Sequence, residues 1–316
     1  METINKPLVS ICSTTYNLEK YIAEALDSWL NQKTNFDYEI VICDDSSKDN
    51  TTKIIEKYIE SYPEKIRLLK AEKNQGMLPN FIWSLESARG KYIAVCDGDD
   101  YWIDENKLQM QIDFLESNSE FSSCYSNSLI KNELTGEFVV AKNQVWDIAS
   151  SVDLLEHDDF HNDNIPLSPG HISTFVFRNN LIEKYPDWFY KIDGVTDFPL
   201  NMMISKFGKA KFFNTNTSVY RNHPKSSSTI DYKFIKMSLG RINIYNCINR
   251  YFDYEYDKKI RIFIAKHYLN IFKFAVKNKQ FNVALISALH SIKNNPNEIS
   301  QYFFGSIKNR FQKVKL

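Results

Sequence analysis

The sequence predicts an α/β protein with a mostly parallel sheet and helices on its faces. Four short apolar runs of strand length occur in the first third of the chain, and the segments between them repeat apolar residues at helical spacing. Strands that alternate with helices form parallel sheets through right-handed crossovers. With 316 residues, of which 43% are hydrophobic and 14% aromatic, the chain is long enough to bury a large core and to carry an appendage.

The four predicted strands are short and largely apolar: Leu8–Cys12, Glu39–Cys43, Ile66–Leu69 and Tyr92–Cys96. A helix is predicted after each strand, and the apolar faces of these helices fall within Leu18–Leu30, Ile54–Ile59, Phe81–Leu85 and Leu108–Leu115. Pro79 suits the first turn of the third helix, because that position has no hydrogen bond for its missing N–H to lose.

The middle of the chain is patterned less regularly. Tyr125–Ile130 and Glu137–Ala141 predict a hairpin joined by a Thr-Gly turn, and Ile172–Arg178 predicts a further strand. The polar segment His157–Gly170 predicts a long loop of the kind that forms lids or binding surfaces. Its histidines and aspartates are interpreted as solvated rather than as a metal cluster, because no i, i+4 ligand spacing supports coordination.

Three carboxylates, Asp97, Asp99 and Asp100, stand at the carboxyl end of the fourth strand. Like charges this close raise one another's pKa unless a cation neutralises them, and hard oxygen ligands favour Mg²⁺ or Mn²⁺. The alternative is structural, since Asp-Gly is a common turn and Asp104 could cap the next helix. An EF-hand fits badly, because Trp102 would stand where its loop needs glycine.

Polar residues follow the carboxyl ends of all four strands. These groups are Thr14–Asn17, Asp44 with Asp45, Asn74–Gly76 and Asp97–Asp100. Because the carboxyl ends of parallel strands share one edge of a sheet, the four groups are predicted to converge on a single crevice, where open α/β sheets bind their ligands.

Composition and missing motifs exclude several classes. The net charge of zero argues against a general nucleic-acid binder, and no dinucleotide-binding, P-loop or nucleophile-elbow glycine pattern is present. The five cysteines form no C-x-x-C pair and are predicted to be buried small hydrophobes in a reducing compartment. No signal peptide and no apolar run of membrane-spanning length is recognised, so a cytoplasmic location is expected.

Three segments together resemble the family 2 glycosyltransferases of the GT-A fold: Val9–Asn17, Glu39–Thr51 and Gly90–Asp100. The resemblance is close over about the first 115 residues and looser to about residue 228. It implies residues 1–115 as the nucleotide-sugar-binding half, 116–228 as the half with the acceptor site and catalytic base, and 229–316 as a helical extension. It also implies inverting transfer of a sugar from a nucleotide diphosphate, expected to be UDP, to a glycan or lipid-linked acceptor in cell-surface glycan synthesis.

Carried over by position, the resemblance also implies roles. Thr14 and Tyr16 would cradle the base, Asp45 would read the uracil edge beside Asp44, Asp97 would face the ribose or sugar, and Asp99 would hold Mn²⁺ or Mg²⁺. The same nucleotide-sugar site is expected to include Asn17, Asn74, Gly76 and Gly98. One departure is Ser46-Ser47, which replaces the family's more usual Gly-Ser.

The later residues of the predicted site are Asp197, His171, Ser173 and His223. Asp197 resembles the catalytic base, with Asp193 as its rival; the alternative is a helix N-cap, because Pro199 follows in the first turn. His171 and Ser173 are expected to bind the acceptor. His223 lies in a segment that resembles the family's Tyr-Arg-x-His and would touch metal or phosphate, with Lys225 adding charge.

Beyond Thr229 the pattern becomes helical and basic. The segment from Ala265 onward contains nine basic residues and one acid, Glu298, so its net charge is 9 − 1 = +8. Such a tail suits either an anionic membrane surface or a helical packing and oligomerisation module. Two other functions stay open: a non-catalytic nucleotide-sugar or glycan-binding module, and a sugar-nucleotide nucleotidyltransferase, which would need a glycine-rich basic loop after the first strand.

Overall fold

The computed structural model describes residues 6–140, 147–151, 153, 170–192, 197–223 and 234–302. By its internal contacts the chain divides into two compact units. The first unit comprises residues 1–190 and 196–230, and the second comprises residues 191–195 and 231–316.

The first unit is built on a large mixed sheet whose first part is parallel, as predicted. Its parallel strands are β1 (Val9–Thr15), β2 (Tyr38–Asp44), β3 (Ile66–Lys70) and β4 (Tyr92–Val95). They lie in the order β3-β2-β1-β4, so β1 is flanked by β2 and β4. Near-complete burial of β1, β2 and β4 explains why their sequences are largely apolar runs, whereas β3 at the edge is only partly buried.

Four helices cover this part of the sheet: α1 (Ile22–Leu30), α2 (Thr51–Ser61), α3 (Met77–Glu86) and α4 (Lys107–Ser117). The buried residues of α1 are Ile22, Ala25, Leu26 and Trp29, which recur at helical spacing and join the core under the sheet. Gly90 precedes β4 at a point where a side chain would not fit, because an added Cβ would lie 2.6 Å from the backbone nitrogen of Ser10. The predicted elements of this region are confirmed.

Beyond β4 the sheet continues through shorter and longer strands: β5 (Tyr101–Trp102), β6 (Phe121–Asn132), β7 (Phe138–Val140), β8 (Ile148–Ala149), β9 (Val176–Arg178) and β10 (Lys209–Asn222). The short β9 pairs antiparallel with both β4 and β6, and β10 runs parallel to β6 and antiparallel to β5. The predicted hairpin is confirmed, since Leu129 of β6 pairs with Val140 of β7. Helix α5 (Asp197–Ser205) precedes β10.

The sequence patterns failed at three of these strands and at one turn. The strands β5, β8 and β10 went unpredicted: β5 and β8 have two residues each, and the register of β10 shifts between Phe213 and Ser218, which breaks its alternation. The segment Ile172–Arg178 was wrongly predicted as one strand, because Ile172–Thr174 forms a 3₁₀ turn. There the Thr174 hydroxyl donates to the carbonyl of His171 over 2.8 Å, a local bond that replaces a ladder bond.

The second unit is helical in its described part. Its helices are α6 (Phe234–Tyr251), α7 (Asp257–Lys277) and α8 (Phe281–Asn294). Tyr245 of α6 stacks on Phe263 of α7 at 5.6 Å, and Ser291 of α8 donates to the carbonyl of Ala265 in α7 over 2.9 Å. Within the described ranges, no helix combines the length and the apolar character that crossing a bilayer requires.

Candidate active site

The carboxyl ends of β1 and β4 are joined by direct hydrogen bonds. Thr14 donates its hydroxyl to Oδ1 of Asp97 over 2.5 Å, and the backbone N–H of Gly98 donates to the carbonyl of Thr14 over 3.0 Å. A Cβ at Gly98 would lie 3.0 Å from the side chain of Ile22, so this position favours glycine. The structure therefore brings Thr14, Asp97 and Gly98 together at one edge of the sheet, as the spacing predicts.

The loop after β2 is organised by its two aspartates, both of which are buried. Oδ1 and Oδ2 of Asp45 accept hydrogen bonds from the backbone N–H groups of Gln75 and Gly76, over 2.7 and 2.9 Å. The amide of Asn74 donates to the carbonyl of Asp45 over 3.3 Å. Asp44 accepts from the hydroxyls of Ser47 and Thr52. The carboxylates thus hold the loops after β2 and β3 in place, whatever else they contact.

Two left-handed residues shape the neighbouring turns. Asn17 has a φ of 57°, and its side-chain oxygen accepts from the backbone N–H of Lys48 over 2.7 Å. Ser46 has a φ of 63°, a conformation that glycine adopts more easily. The serine that replaces the usual glycine therefore keeps a glycine-like backbone. Tyr16, beside Asn17, is 43% exposed at this edge.

The acids after β4 lie in an environment that disfavours their negative charge. Burial first, and then the charge of Asp99, raise the pKa of Asp97 to about 7. Burial and the same neighbour raise the pKa of Asp100 well above its usual range. A cation bound here would relieve both effects.

Asp99 lies beside His223, the other residue of the predicted metal site. Nε2 of His223 lies 3.1 Å from Oδ2 of Asp99, and the imidazole stacks on Tyr21 with ring centroids 4.9 Å apart. A carboxylate and an imidazole are donors that Mn²⁺ accepts. Among the described residues, no group of three or more histidines, cysteines and acids forms a ready metal site. The donor set therefore fits a metal that also takes ligands from a bound substrate.

Arg221 is hydrogen-bonded to the loop of residues 97–100, which carries the three aspartates. The sequence patterns did not reveal this role. Its Nη1 donates to the carbonyl of Asp99 over 2.5 Å, and its backbone N–H donates to Oδ1 of Asp100 over 3.0 Å. The guanidinium is fully buried and pairs with Glu24 and Glu133. Arg221 thus anchors the loop 97–100 through two hydrogen bonds, to Asp99 and to Asp100.

The 3₁₀ turn at residues 172–174 presents His171 to the same region. Nδ1 of His171 lies 2.8 Å from the Ser173 hydroxyl, and the imidazole packs against Tyr220 with ring centroids 4.3 Å apart. Partial burial lowers the pKa of His171 to about 4, so the imidazole is neutral at pH 7. Ser173 is fully buried and also bonded to Ser218, and its carbonyl accepts from Nε1 of Trp102. It lies behind His171 rather than at the surface.

Asp197 is the first residue of α5, where a free backbone N–H end favours a negative charge. Its charge is one of the causes that raise the pKa of Asp97 and of Tyr125, after burial in both cases. Tyr125 is buried, and its hydroxyl has no hydrogen-bond partner among the residues that the structure describes. Tyr125 was not recognised in the sequence, because an isolated tyrosine in a predicted strand carries no functional signal.

Several predicted residues lie outside the described ranges. These are the rival base Asp193, the added charge at Lys225 and the polar residues His157, Asp158, Asp159, His161 and Asp163. All five cysteines are described, free and buried, as predicted.

Comparison with known proteins agrees with this geometry. The sequence model of glycosyl transferase family 2 matches residues 10–181, which is more than half of the chain. The fold is of the GT-A type. The chain belongs to glycosyl transferase family 2.

Two relatives show the range of the sequence matches. The chain is 44% identical over 117 residues to the uncharacterized protein Rv1520 of Mycobacterium tuberculosis, which covers 37% of this chain and 34% of that protein. It is 39% identical over 134 residues to UDP-Glc:alpha-D-GlcNAc-diphosphoundecaprenol beta-1,3-glucosyltransferase WfgD of Escherichia coli, which covers 42% of this chain and 51% of WfgD. The chain therefore spans about half or less of the length of these relatives.

Two solved structures share the fold. Residues 1–349 of S. aureus TarS in complex with UDP-GlcNAc superpose with a TM-score of 0.67 at 19% identity, covering 92% of this chain and 82% of that one. The mannosyltransferase PcManGT of Pyrobaculum calidifontis, in complex with GDP-Man and Mn²⁺, gives a TM-score of 0.55 at 15% identity, covering 98% and 89%. At these identities the likeness shows the fold alone.

Proposed function

We propose that this chain transfers a sugar from a nucleotide-diphosphate donor, a UDP-sugar, to a hydroxyl of a glycan or lipid-linked acceptor in the synthesis of a cell-surface glycan. The observation that carries the proposal is the hydrogen bonding of Asp97 to Thr14 and of Asp99 to His223 in the loop after β4. The charge of Asp197 is also among the causes that raise the pKa of Asp97. Membership of the family supports it, as does WfgD, whose name gives UDP-Glc as donor and a diphosphoundecaprenol acceptor. Such an acceptor would place the reaction at the cytoplasmic face of a membrane.

The donor site follows from the loops at the carboxyl ends of the strands. The nucleotide base of the donor packs against the exposed side chain of Tyr16, beside Thr14 and Asn17. It lies between this turn and the loop at Asn74–Gly76. Asp44 and Asp45 line the part of the crevice that binds the nucleotide base. Asp45 also accepts hydrogen bonds from the backbone of that loop. Asp97 accepts hydrogen bonds from ribose or sugar hydroxyls, next to Gly98, whose lack of a side chain leaves room for the donor.

The metal site consists of Asp99 and His223, which would hold Mn²⁺ or Mg²⁺ together with the diphosphate of the donor. The ion would neutralise the negative charge that develops on the departing nucleoside diphosphate. The Mn²⁺ complex of PcManGT supports this assignment. Arg221 keeps the carboxylate of Asp99 in position through its bond to the Asp99 carbonyl.

The reaction is a single displacement with inversion. The carboxylate of Asp197 accepts the proton of the acceptor hydroxyl while its oxygen forms a bond to the anomeric carbon of the sugar. On the opposite face, the bond between that carbon and the diphosphate oxygen breaks, and the electron pair leaves with the nucleoside diphosphate. Neutral His171 orients the acceptor by hydrogen bonding. The Ser173 hydroxyl, hydrogen-bonded to Nδ1 of His171, holds the imidazole in place.

The variant Asp197→Asn separates the roles of base and helix cap. Asparagine keeps the capping ability and the volume but cannot take a proton, so transfer should fall by roughly 10²–10⁴-fold while donor affinity and thermal stability hold. Donor binding, melting temperature and transfer are measured on the same preparations, after a panel of sugar nucleotides with Mn²⁺ has identified the donor. Asp187→Asn is the matched control, because that side chain is 81% exposed in the same unit.

Other outcomes decide between the alternatives. Normal transfer by Asp197→Asn would move the base to Asp193 or His171, and a variant that unfolds would make Asp197 a structural cap. Donor binding without hydrolysis or transfer of any donor would indicate a non-catalytic binding module. Incorporation of labelled pyrophosphate into a sugar nucleotide would indicate a nucleotidyltransferase.

A further inference from the structure

Helix α8 exposes its large apolar residues to solvent. Phe281, Leu285, Leu289 and Ile292 recur at intervals of four, four and three residues, so they share one face of the helix. These side chains are 70%, 63%, 58% and 45% exposed, and Ile286 beside them is 57% exposed. A contiguous apolar face of this kind marks an interaction surface.

The opposite face of α8 is already packed. Its buried residues are Ala284, Ser287 and Ser291, and the Ser291 hydroxyl donates to the carbonyl of Ala265 in α7. Most surface helices bury their large apolar side chains and expose small or polar ones. Helix α8 has the reverse arrangement, and a rotation that buried Leu285 and Leu289 would break its present packing. The exposed face therefore needs a partner from outside the unit.

The charge around this face identifies the kind of partner. Residues 265–302 contain five lysines and one acid, which gives a net charge of 5 − 1 = +4. The lysines are Lys266, Lys273, Lys277, Lys279 and Lys293. Lys293 is exposed on α8 itself, and Lys277 and Lys279 are exposed just before it. Two copies joined through α8 would bring these like charges together, which costs free energy, whereas an anionic surface would neutralise them.

We propose that α8 lies in the interface of an anionic phospholipid bilayer, with Phe281, Leu285, Leu289 and Ile292 inserted among the acyl chains. The apolar face from Phe281 to Ile292 extends for about 17 Å along the helix axis, and helices of this type penetrate roughly 5–10 Å. Lys277, Lys279 and Lys293 contact lipid phosphates at the edge of the face. This inference is independent of the proposed function and concerns how the chain reaches a membrane.

The test is sedimentation of the full chain with phospholipid vesicles. The chain should bind vesicles of phosphatidylcholine mixed with phosphatidylglycerol, bind pure phosphatidylcholine vesicles weakly, and dissociate as salt screens the lysines. The double variant L285Q/L289Q should lower the partition coefficient at least ~10-fold, because two apolar side chains lose their burial in lipid. K277Q/K293Q should lower it by about 10-fold on anionic vesicles only.

The matched control is Leu134→Gln, which changes a leucine of the first unit that is 79% exposed and should leave vesicle binding unchanged. Circular dichroism checks that each variant keeps its helices, and K277Q/K293Q supplies an independent result if L285Q/L289Q loses them. Light scattering on the lipid-free chain measures its mass. A dimer that L285Q/L289Q converts to monomer would assign the face to a second copy and overturn the proposal. So would vesicle binding that persists in L285Q/L289Q, or an absence of binding to anionic vesicles.

Discussion

The hydroxyl of Thr14 and the carboxylate of Asp97 lie 2.5 Å apart, and this hydrogen bond joins the ends of two adjacent parallel strands. Thr14→Val removes the donor but keeps the shape. Because Asp97, with a pKa of about 7, is only partly charged at neutral pH, the hydrogen bond contributes about 1–3 kcal/mol, so UDP affinity should fall by roughly 5–100-fold as Asp97 loses its orientation. Titration calorimetry with UDP measures the change. Thr14→Ser keeps the hydroxyl and should bind as the unaltered chain does, and equal affinity in the valine variant would contradict the role given to this bond.

Removal of either predicted metal ligand should weaken Mn²⁺ binding. Asp99→Asn and His223→Gln each delete one donor atom, and each should lower Mn²⁺ affinity in the presence of UDP at least ~10-fold. Electron paramagnetic resonance of free Mn²⁺ measures that affinity without reference to turnover. A chelator should abolish transfer. The exposed Asp113→Asn serves as control, and full transfer in the chelator would refute the metal site.

Lys107 should make stability depend on pH in the alkaline range. It is fully buried, and burial lowers its pKa from 10.5 to about 8, although its ammonium donates to Gln111 and lies 4.3 Å over the ring of Trp102. Below pH 8 the folded protein carries the full cost of the buried charge, roughly 3 kcal/mol. Between pH 8 and 10.5 the unfolded chain binds more protons at this site than the folded one, so the free energy of unfolding rises with pH.

Urea denaturation of Lys107→Met tests this account. The difference in unfolding free energy between the two proteins should change by roughly 3 kcal/mol from pH 7 to pH 10.5, with the gain on the side of the lysine protein. Other titrating groups cancel in the difference. A difference that stays constant over this range would show that Lys107 is not neutralised in the fold.

The left-handed backbone conformation of Ser46 destabilises the fold. Its φ of 63° costs a residue with a Cβ about 1 kcal/mol that glycine avoids, so Ser46→Gly should raise the free energy of unfolding by up to that amount. Ser46→Ala keeps the Cβ and should give no gain. Thermal melts of the three proteins measure the effect. If the alanine variant were stabilised equally, the hydroxyl and not the backbone would be the cause.

The first four strands and their helices were predictable because each depends on local pattern. Buried parallel strands are continuous apolar runs. The helical spacing of apolar residues in α1 is visible in the sequence whatever the details of packing, as at Ile22, Ala25, Leu26 and Trp29. The convergence of Thr14, Asp97 and Asp45 on one edge followed from topology alone, since parallel strands place their carboxyl ends together. Family resemblance, rather than pattern, supplied Asp197 and His223.

What the sequence by itself determined is the α/β sheet, the edge at which its polar loops meet, and the acids that stand there, because these depend on periodicity and on residue type. Only the tertiary structure decided that Arg221 is a buried support, that His171 stands on a 3₁₀ turn instead of a strand, and that β10 completes the sheet. It also decided which face of α8 is covered. Each of these depends on contacts between residues far apart in the chain, whose free energies outweigh local preference and leave no periodic trace in the sequence.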